Sequence, residues 1–577
     1  MADVTRWIPP HFEWEAVQLL VREAGVHPLV ARVLAHRGYT DPKAAIRFLH
    51  PSLHDLNDPF LLRGMKVAAA RLQQAIARDE KILIYGDYDV DGICSTVILK
   101  KAIDLAGGKA AFYVPNRLRD GYGMRAEVVE SAAASEVGLI ISVDTGIRAQ
   151  EAVQRAREAG MDVIITDHHL PEADLPAALA IVNPNQQSCP YPEKSLCGAG
   201  VALKLAHALM LQLDWPQART HRLLSSFLKL AAIATVADVV PLTGENRIIV
   251  KHGLEGLRDL RNPGLKALME VAGFSEGDIP TAGQVAFRLA PRLNAAGRMA
   301  SAADVIEMFL TDDEALASAI ARQLHALNQE RQQTEGEIIR QILEECERAP
   351  ISEQEMALVF CGRGWHRGVV GIVANRLAET FRRPVFVLSD EGNGEVQGSG
   401  RSLPPFHLLE ALESMSDLFV RFGGHRQAAG ITLKRERVAE FKRRIQEYAA
   451  ARLRPEHLAT AMEVDAEFEL AELSPEAISG ILSLAPFGFG NPPPLLAARR
   501  VILSEAPRIF RDKHLRLKFA QGSKSLTVKA WNFISRAPEL ERGGELDILV
   551  SFEPDPSSLR RGFPGWSAVL RDVRAAK

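Results

Sequence analysis

Residues 81–92 read Lys81-Ile-Leu-Ile-Tyr-Gly-Asp-Tyr-Asp-Val-Asp-Gly92, a short apolar run that leads directly into a glycine-bounded loop with three aspartates. The run has the length and side chains of a buried β-strand, and the pattern after the loop predicts a helix from Ile93 to Leu105. A strand, a turn and a helix in this order begin a βαβ unit. We therefore expect a parallel sheet whose first strand ends in carboxylates.

The same alternation of strands and helices continues as far as residue 183. Further strands are predicted at Ala110–Val114, Val137–Val143 and Asp162–Thr166, and helices at Arg125–Ala134 and Ala149–Ala159. Strands that alternate with helices favour a buried parallel sheet with helices on its faces. The sequence thus predicts an α/β core domain.

The rest of the chain predicts a multidomain protein, since 577 residues suffice for roughly four domains. A long polar helix is predicted near residues 311–347, a second α/β pattern follows it, and short alternating runs after Pro455 indicate a small β-barrel. The expected segments are an N-terminal helical or irregular extension of the core (1–80), the catalytic α/β domain (81–310), a connecting helix (311–348), a smaller α/β domain (349–454) and the barrel (455–577).

Composition excludes several classes of protein. Hydrophobic residues make up 47% and charged residues 24% of the chain, which supplies apolar material for several cores and excludes wholesale disorder. The longest apolar run, Leu228–Leu242, is interrupted by Lys229 and Asp238 and is too short for a membrane span. The N-terminus has no signal-peptide pattern, and the five cysteines are scattered. We expect a cytoplasmic protein with reduced thiols and no membrane partner.

Acidic residues and histidines follow three of the predicted strands. These residues are Asp87, Asp89, Asp91, Asp144, Asp167, His168 and His169. The carboxyl ends of parallel strands lie side by side, so up to five carboxylates and two imidazoles are expected to converge. So much negative charge requires a cation, and oxygen ligands with imidazole suit two Mn²⁺ or Mg²⁺ ions better than a thiolate-preferring metal.

Asp238 adds a carboxylate to this set. It lies within the apolar segment Leu230–Val240, where an isolated buried charge is costly and a metal would relieve the cost. Each motif alone also fits an ordinary role, because Asp-x-Asp-x-Asp loops are usually solvated turns and Asp238 could cap a helix. The closing Glu of an EF-hand is absent as well. It is the combination on successive strand ends that favours a metal centre.

In these motifs the chain resembles the DHH phosphoesterase superfamily, and within it the bacterial single-stranded-DNA-specific exonucleases, over nearly its whole length. The matching segments are Gly86-Asp-Tyr-Asp-Val-Asp-Gly92, Val143-Asp-Thr-Gly146, Asp167-His-His169, Asn183-Pro184, Thr235-Val-Ala-Asp-Val-Val-Pro-Leu242, Arg292-Leu-Asn-Ala-Ala-Gly-Arg298, Arg367-Gly-Val-Val-Gly-Ile-Val373, Gly398-Ser-Gly-Arg401 and Gly423-Gly-His425. The resemblance implies a parallel-sheet DHH domain, a long helix, a smaller α/β DHH-associated domain and a C-terminal OB-type barrel.

The resemblance also implies roles for individual residues. The implied metal ligands are Asp87, Asp89, Asp144, His168 and Asp238, and with His169 they form the implied catalytic set. Asp144 would bridge two Mn²⁺ or Mg²⁺ ions, and His169 would face the phosphate. The sequence departs from this pattern at Tyr85. Many relatives carry a histidine at this position, ahead of the first aspartate, so the departure bears on whether one of the two metal positions is occupied.

Substrate contacts are implied in the same way. The residues are Asn294 and Arg298 at the reacting phosphate, Arg117, Ser399 and Arg401 at a terminal 5′-phosphate, and Gly424 and His425 at the strand backbone. Independently of the resemblance, residues 398–402 offer backbone N–H groups, hydroxyls and a guanidinium that suit a phosphate clamp, although such a glycine-rich turn is often an ordinary loop.

Two basic regions stand out in a chain of formal charge −3. Residues 421–454 contain ten Lys and Arg against three Glu, and residues 495–577 contain sixteen basic against nine acidic residues. This distribution predicts an electrostatic track for a nucleic acid. In the barrel, bases and aromatic residues mix at Phe510, Arg511, Lys513, His514, Phe519, Lys529, Trp531 and Phe533, and about half of these aromatics are expected in the barrel core.

We interpret the chain as a metal-dependent 5′→3′ exonuclease that acts on single-stranded DNA, releases 5′-mononucleotides and serves DNA repair and recombination. One alternative is a DHH-type small-substrate phosphodiesterase or nano-RNase, which would lack the region after Pro455. Another is a non-catalytic single-strand-binding replication scaffold, which would lose the acidic ligands. The expected partners are single-stranded DNA with a 5′ end, a helicase and a single-strand-binding protein, and we expect a monomer.

Overall fold

The computed structural model describes residues 5–116, 123–299, 301–352, 354–454, 461–541, 544–555, 558, 562 and 564–576. These residues form two compact units. The larger unit comprises Trp7–Gly297, Ser301–Gln323 and Met462–Lys577, and the smaller unit is built mainly from Leu324–Ala461. No helix in the described ranges combines the length and the apolar character that crossing a bilayer requires.

The predicted parallel sheet forms the centre of the larger unit. Its strands, in spatial order, are Lys109–Tyr113, Lys81–Tyr85, Val137–Val143, Asp162–Thr166 and Ala180–Val182, and every neighbouring pair is parallel. The three central strands are almost wholly buried, as strands covered by helices on both faces must be. Their carboxyl ends therefore open at one edge, where the acidic turns begin.

Helices surround this sheet and continue beyond it. They span Met65–Ala77, Val90–Leu105, Ala126–Ala134, Gln150–Glu158, Gly198–Gln212, Gln217–Ala237, Gly244–Gly256, Pro263–Val271, Ala290–Met299 and Ala302–Leu310. A π-helical turn at Val285–Leu289 leads into Ala290–Met299. The predicted helices agree with those observed to within a few residues.

The C-terminal region is a closed barrel, as predicted. Its strands are Ala466–Glu467, Leu496–Leu503, Arg508–Phe510, His514–Gln521, Lys524–Ala530, Leu546–Pro554 and Trp566–Ala575, and the helices Pro475–Leu482 and Ala537–Glu541 belong to the same region. Closure comes from the strand Leu496–Leu503, which pairs with Leu546–Pro554 on one side and with His514–Gln521 on the other. Full pairing removes exposed strand edges.

The helices of the expected N-terminal extension, residues 1–80, pack against two parts of the larger unit. The helices Trp14–Leu19, Pro28–His36 and Pro42–Leu49 share one hydrophobic core with the barrel, whereas Met65–Ala77 packs beside the parallel sheet. Arg37 Nε also donates to Asp465 Oδ1 at 2.6 Å. The apolar faces of these short helices need a partner, and the barrel supplies it although it is more than 400 residues away in sequence.

The smaller unit has its own five-stranded sheet. The strands, in spatial order, are Phe419–Gly424, Ala428–Lys434, Glu395–Arg401, Val385–Asp390 and Leu358–Arg363. Only the last two neighbours are parallel. Helices Arg367–Phe381, Leu408–Glu413 and Val438–Ala450 cover the sheet, and the long helix Glu314–Arg348 begins in the larger unit and continues into this one. The predicted connecting helix is thus present.

A buried ion pair ties two helices of the larger unit together. Lys204 and Glu245 pair directly, and each side chain is only 1% exposed. Glu245 also accepts hydrogen bonds from the Tyr191 hydroxyl at 2.5 Å and from Asn57 Nδ2 at 3.0 Å. Burial lowers the pKa of Lys204, and the Glu245 carboxylate opposes this shift. The pair is fully desolvated, so neither charge can be lost without stranding the other.

We therefore predict that Lys204→Met lowers the free energy of unfolding by roughly 3–5 kcal/mol, because it leaves the Glu245 charge buried without a cation. Lys100→Met is the matched control, since its ion pair with Asp104 lies on a helix surface and should contribute less than about 1 kcal/mol. Urea denaturation of the two variants beside the wild type measures both effects. Equal losses in the two variants would contradict the interpretation.

Candidate active site

The acidic turns meet at the carboxyl edge of the parallel sheet. Three groups of side chains have ligand atoms within 4.8 Å of one another. The groups are Asp87, Asp89 and Asp144; Asp144, His168 and His169; and Asp91, His168 and Asp238. The structure thus brings together all six residues of the implied catalytic set, and Asp144 and His168 each belong to two groups.

Local backbone geometry fixes two of these aspartates. Asp89 is the N-cap of the helix Val90–Leu105, and its carboxylate accepts the backbone N–H of Asp91 at 2.9 Å and of Gly92 at 3.1 Å. Asp144 has a φ of +60°, which is uncommon for a residue with a side chain. Gly198 packs against it so closely that an added Cβ would lie 2.6 Å from Asp144 Cβ. Only glycine fits there.

His168 lies between Asp144 and Asp238. Its Nε2 is 3.1 Å from Asp144 Oδ1, and its Nδ1 is 3.8 Å from Asp238 Oδ2. Burial lowers the pKa of His168, although the surrounding carboxylates favour its charged form. A neutral imidazole has a free ring nitrogen, which is the form that binds metal.

The carboxylates repel one another strongly. Burial, followed by the charges of Asp91, Asp89 and Asp87, raises the pKa of Asp144 well above its usual range. Burial, followed by the charges of Asp91 and Asp89, raises the pKa of Asp238 to about 8. These shifts reflect the cost of holding several negative charges in a desolvated space.

The site fits divalent cations. Asp144 Oδ1 is buried, and although His168 Nε2 is 3.1 Å away, this oxygen accepts no hydrogen bond of acceptable geometry among the described residues. Carboxylate oxygens that converge with a neutral imidazole are ligands that Mn²⁺ and Mg²⁺ accept, and the cation's charge would offset the repulsion. The described side chains in the three groups include no thiolate. The donor set thus matches the predicted metals.

Two buried aspartates have roles that sequence reasoning missed. Asp91 accepts the backbone N–H groups of Gly198 at 2.6 Å and Ala199 at 2.7 Å, so it caps a second helix. Asp167 accepts Ile147 N at 2.9 Å and contacts His169 Nδ1 at 2.7 Å. The sequence indicates that both aspartates belong to acidic motifs, but it does not show which backbone N–H groups lie next to their carboxylates.

His169 is oriented by Asp167. Burial alone would lower the pKa of His169, but the hydrogen bond to Asp167 raises it overall. The pair therefore favours a protonated imidazole beside the carboxylate cluster, and about two fifths of the His169 side chain is exposed. A cationic or hydrogen-bonding group at this position suits a phosphate oxygen.

The implied phosphate-positioning helix lies against the first acidic loop. Asn294 Oδ1 accepts the backbone N–H of Val90 at 3.3 Å, and Gly297 approaches Tyr88 so closely that an added Cβ would lie 2.5 Å from its carbonyl oxygen. Asn294 is thus at the site, with its carbonyl oxygen turned toward the loop. Arg298 belongs to the same helix, but its side chain lies outside the described part of the protein.

Tyr85 does not take the place of a metal-ligating histidine. Its ring is fully buried in the core formed with Val129, Ile140 and Val153. The hydroxyl donates to the Gly123 carbonyl at 3.1 Å. The side chain therefore serves packing on one face of the sheet, and the carboxylates carry the candidate ligand set.

The segment around Ser399 and Arg401 differs from the expected loop. It lies in the strand Glu395–Arg401, which pairs with a neighbour on each side, so its backbone N–H groups are used by the sheet. Added Cβ atoms at Gly398 and Gly400 would strike the neighbouring strand and its side chains. The glycines therefore serve close packing, and a phosphate would meet the Ser399 and Arg401 side chains instead of a backbone nest.

Ser399 lines a cavity of about 360 Å³ in the smaller unit. Arg367 and Arg421 also line it, together with Thr432 and Gly423. An added Cβ at Gly371 would be 3.3 Å from both Arg401 Nη2 and Ser399 Oγ, so the Arg401 guanidinium lies near the Ser399 hydroxyl. The cavity thus combines guanidinium and hydroxyl groups, which suits an anion.

Of the remaining implied substrate contacts, Gly424 and His425 lie within the described residues and Arg117 does not. Gly424 has a φ of +151°, and its close approach to Ala428 excludes a side chain. His425 follows it at the exposed end of the hairpin, where its backbone N–H donates to the Ala428 carbonyl at 2.8 Å.

The barrel presents an aromatic and basic face. Phe510, His514 and Trp531 form a mutual cluster with ring centroids 4.8–5.6 Å apart. A cavity of about 450 Å³ is lined by Arg508, Phe510, Arg516, Lys529 and Trp566. By contrast, Phe519 is fully buried and Phe533 packs against the core, so the aromatics divide between surface and core as expected.

Comparisons with known proteins agree with this arrangement. Residues 81–235 match the DHH family, N-terminal domain, residues 353–451 match the DHHA1 domain, and residues 464–555 match the RecJ OB domain. The chain is 39% identical over 536 residues to the single-stranded-DNA-specific exonuclease RecJ of Bacillus subtilis, a match that covers 92% of this chain and 66% of that protein. It is 36% identical to the Escherichia coli protein of the same name over 86% of this chain and 87% of that one.

Solved structures give the same result. The structure of RecJ from Thermus thermophilus in complex with Mn²⁺ superposes with a TM-score of 0.83 at 30% identity, over all of this chain and 80% of that one. The complex of that protein with Mg²⁺ gives a TM-score of 0.78 at 29% identity, over all of this chain and 79% of that one.

Fold and site together define a metal-dependent phosphoesterase of the DHH class. More narrowly, the chain belongs to the RecJ family of single-stranded-DNA-specific exonucleases. The predicted family, the multidomain α/β fold with an OB-type barrel and the enzyme class are confirmed, and the candidate ligand groups suit the Mn²⁺ and Mg²⁺ ions that the Thermus thermophilus protein binds.

The crowding of carboxylates gives a prediction for Asp144→Asn. Without metal, this variant should be more stable than the wild type by roughly 1–3 kcal/mol, because one repelled buried charge is removed. Mn²⁺ should raise the melting temperature of the wild type and have little effect on the variant. Thermal unfolding with EDTA and with Mn²⁺ measures both quantities. Asp104→Asn, on a helix surface, is the control, and a full Mn²⁺ response in Asp144→Asn would contradict the assignment.

Proposed function

We propose that this chain degrades single-stranded DNA from the 5′ end with two divalent cations, and that it releases 5′-mononucleotides during DNA repair and recombination. The observation that carries the proposal is the convergence of Asp87, Asp89, Asp144, His168 and Asp238 at one sheet edge. This convergence occurs in a chain that also has a cationic cavity and a basic, aromatic barrel face.

Asp87, Asp89, Asp144, His168 and Asp238 would hold the two cations. Asp144 is the candidate bridging ligand, since it contributes to two of the three groups of converging atoms and, unlike His168, has two carboxylate oxygens to share between cations. When bound, two such cations activate water and stabilise the charge that develops on the phosphate oxygens. The carboxylates orient the centre, and no nucleophilic side chain is required.

His169 has a distinct part in the proposed reaction. Asp167 contacts its Nδ1 at 2.7 Å, and we assign its Nε2 to present a proton to a non-bridging phosphate oxygen. The hydrogen bond to Asp167 raises the pKa of His169, which favours retention of that proton. We assign Asn294 and Arg298 to the same phosphate, with Asn294 held against the first acidic loop.

The direction of degradation would follow from capture of the terminal phosphate. Ser399 and Arg401 supply a hydroxyl and a guanidinium beside a cavity of about 360 Å³, and we propose that they bind the 5′-phosphate together with Arg117. Gly424 and His425 would contact the strand backbone from the same unit. Anchoring one end of the strand fixes which bond is cut next, and each cut then releases one nucleotide.

The barrel would hold the strand that follows. Its half-buried Phe510 and exposed Trp531 can stack bases, and Arg508, Arg516 and Lys529 can contact phosphates. The basic helix Val438–Ala450 is a weaker candidate, because Arg437, Arg443 and Arg444 beside or within it pair with acidic neighbours.

The domain boundaries, cellular setting and partners complete the proposal. Residues 81–310, 311–348, 349–454 and 455–577 would act as catalytic domain, connecting helix, DHH-associated domain and OB-fold domain. A helicase and a single-strand-binding protein are the proposed partners, since a single-strand-specific enzyme needs an unwound substrate. We propose a cytoplasmic monomer.

The function is tested with a 5′-phosphorylated, 3′-labelled single-stranded oligonucleotide and Mn²⁺. The wild type should release mononucleotides progressively from the 5′ end, and EDTA should stop the reaction. Asp144→Ala should reduce cleavage by at least about 100-fold, because the shared ligand is lost. Its DNA binding should persist, because binding depends mainly on basic surfaces.

Other product patterns would contradict the proposal. Cleavage confined to dinucleotides would favour a small-substrate phosphodiesterase or nano-RNase. A bound but intact strand would favour a replication scaffold, and label released first from the 3′ end would reverse the proposed polarity.

The phosphate anchor gives a separate prediction for Arg401→Ala. The KM for a 5′-phosphorylated strand should rise by roughly 10–100-fold, because a charge-assisted contact is lost, and the KM for the 5′-hydroxyl strand should change little. Arg437→Ala is the matched control, since this exposed arginine of the same unit pairs with Glu440. Steady-state kinetics on both substrates decide the point, and equal effects on the two strands would refute the anchor.

A further inference from the structure

The turn that follows Asp238 is strained. Asp238 ends the helix Gln217–Ala237, and the next residue, Val239, has a φ of +57°. A β-branched residue in this region costs roughly 1–3 kcal/mol. Val239 is 62% exposed, so its own packing does little to offset the cost. The shape of the turn must therefore be maintained by contacts further along the chain.

Those contacts come from the loop Leu484–Asn491, which precedes the barrel strand Leu496–Leu503. The backbone N–H of Leu242 donates to the Phe489 carbonyl at 2.8 Å. This bond joins the end of the Asp238 turn to a segment about 250 residues later in sequence. The loop therefore contacts the turn through its backbone.

Two glycines make the contact close. An added Cβ at Gly488 would lie 2.7 Å from Leu242 Cδ1, and one at Gly490 would lie 2.8 Å from Pro241 Cβ and 3.0 Å from its Cα. Gly490 also has a φ of +72°. Glycine is thus required at Gly490 both by its backbone conformation and by the packing against Pro241.

The loop is held rigid by Asn491, which is almost fully buried. Its Nδ2 donates to the carbonyls of Leu484 at 2.8 Å and Pro486 at 2.9 Å. Its Oδ1 accepts a hydrogen bond from Arg37 Nη1 at 2.7 Å. Because the side chain closes the loop on itself, the surface that meets the Asp238 turn is already formed.

Arg247 forms hydrogen bonds with the beginning of the loop. This fully buried guanidinium donates to the carbonyls of Ser483 at 3.2 Å, Leu484 at 2.8 Å and Ala485 at 2.8 Å, and also to Phe48 at 2.6 Å. Arg247 lies five residues after Leu242. The loop therefore forms hydrogen bonds with residues before and after Gly244, where the helix begins.

We infer that the loop Leu484–Asn491 is a positioning element for Asp238. By fixing Pro241 and Leu242 it maintains the strained turn, and the turn keeps the Asp238 carboxylate beside His168. The inference rests on the proposed role of Asp238 as a metal ligand. It makes the barrel region a determinant of metal affinity as well as a surface for DNA.

The test compares two glycine variants of the full-length protein. Gly490→Ala forces the loop away from Pro241, whereas Gly522→Ala replaces a glycine of similar φ, +58°, where an added Cβ meets nothing within 4 Å. Both variants place an alanine at a positive φ, which strains the backbone in each case. Of the two, only Gly490→Ala is expected to disturb the Asp238 turn. Mn²⁺ affinity is measured by titration calorimetry, with thermal unfolding to check the fold.

We expect Gly490→Ala to bind Mn²⁺ about tenfold more weakly, the usual scale for a group that orients a ligand, and Gly522→Ala to bind it as the wild type does. Excess Mn²⁺ should restore the activity of Gly490→Ala, and its affinity for a single-stranded oligonucleotide should be unchanged. Unchanged Mn²⁺ affinity in Gly490→Ala, or an equal loss in Gly522→Ala, overturns the inference.

Two further variants keep the outcomes separate. Gly488→Ala meets only the flexible end of Leu242, so a loss of about threefold supports the inference if Gly490→Ala fails to fold, and no loss overturns it. Asp238→Asn tests the ligand role directly. If Asp238→Asn binds Mn²⁺ as the wild type does, the proposed metal site fails; if it alone loses Mn²⁺, only the positioning role fails.

Discussion

Repulsion between buried carboxylates is the constraint on which the rest of the catalytic region depends. Asp87, Asp89, Asp91 and Asp144 lie within one small volume, and burial with mutual repulsion raises the pKa of Asp144 well above its usual range. Such an arrangement persists only if charge is compensated. Backbone N–H groups supply part of the compensation, and divalent cations are the natural source of the rest. The site is therefore less stable than an apolar core would be. The carboxylates that cause this loss of stability are the same groups that are the candidate metal ligands.

Helix N-termini organise this compensation. Asp89 caps the helix that starts at Val90, and Asp91 caps the helix that starts at Gly198, so two helices direct their positive ends at the cluster. Glycine at Gly198 lets the second helix approach Asp144 closely. Burial lowers the pKa of His168 and favours its neutral form, while the hydrogen bond to Asp167 raises the pKa of His169 and favours its protonated form, so adjacent histidines are suited to opposite tasks.

Function and packing connect regions that are far apart in sequence. The N-terminal helices complete the barrel core, and the loop before the barrel supports the turn that carries Asp238. Parallel sheet and barrel consequently belong to one compact unit, although they match separate domain families. Deleting the barrel would expose the apolar faces of the N-terminal helices. Point variants therefore separate the barrel's DNA-binding role from its structural role better than a deletion does.

The sequence alone determined the strands, their acidic ends, the family and the barrel, because these depend on local periodicity and on motifs read in order along the chain. It could not show that residues 398–401 form a central strand instead of a phosphate loop, since glycines required by packing against Val387 and Phe386 look the same as glycines required by a turn. Nor could it place the N-terminal helices on the barrel, or assign Asp91 to a helix cap. Those features depend on which distant surfaces meet, and only tertiary packing decides that.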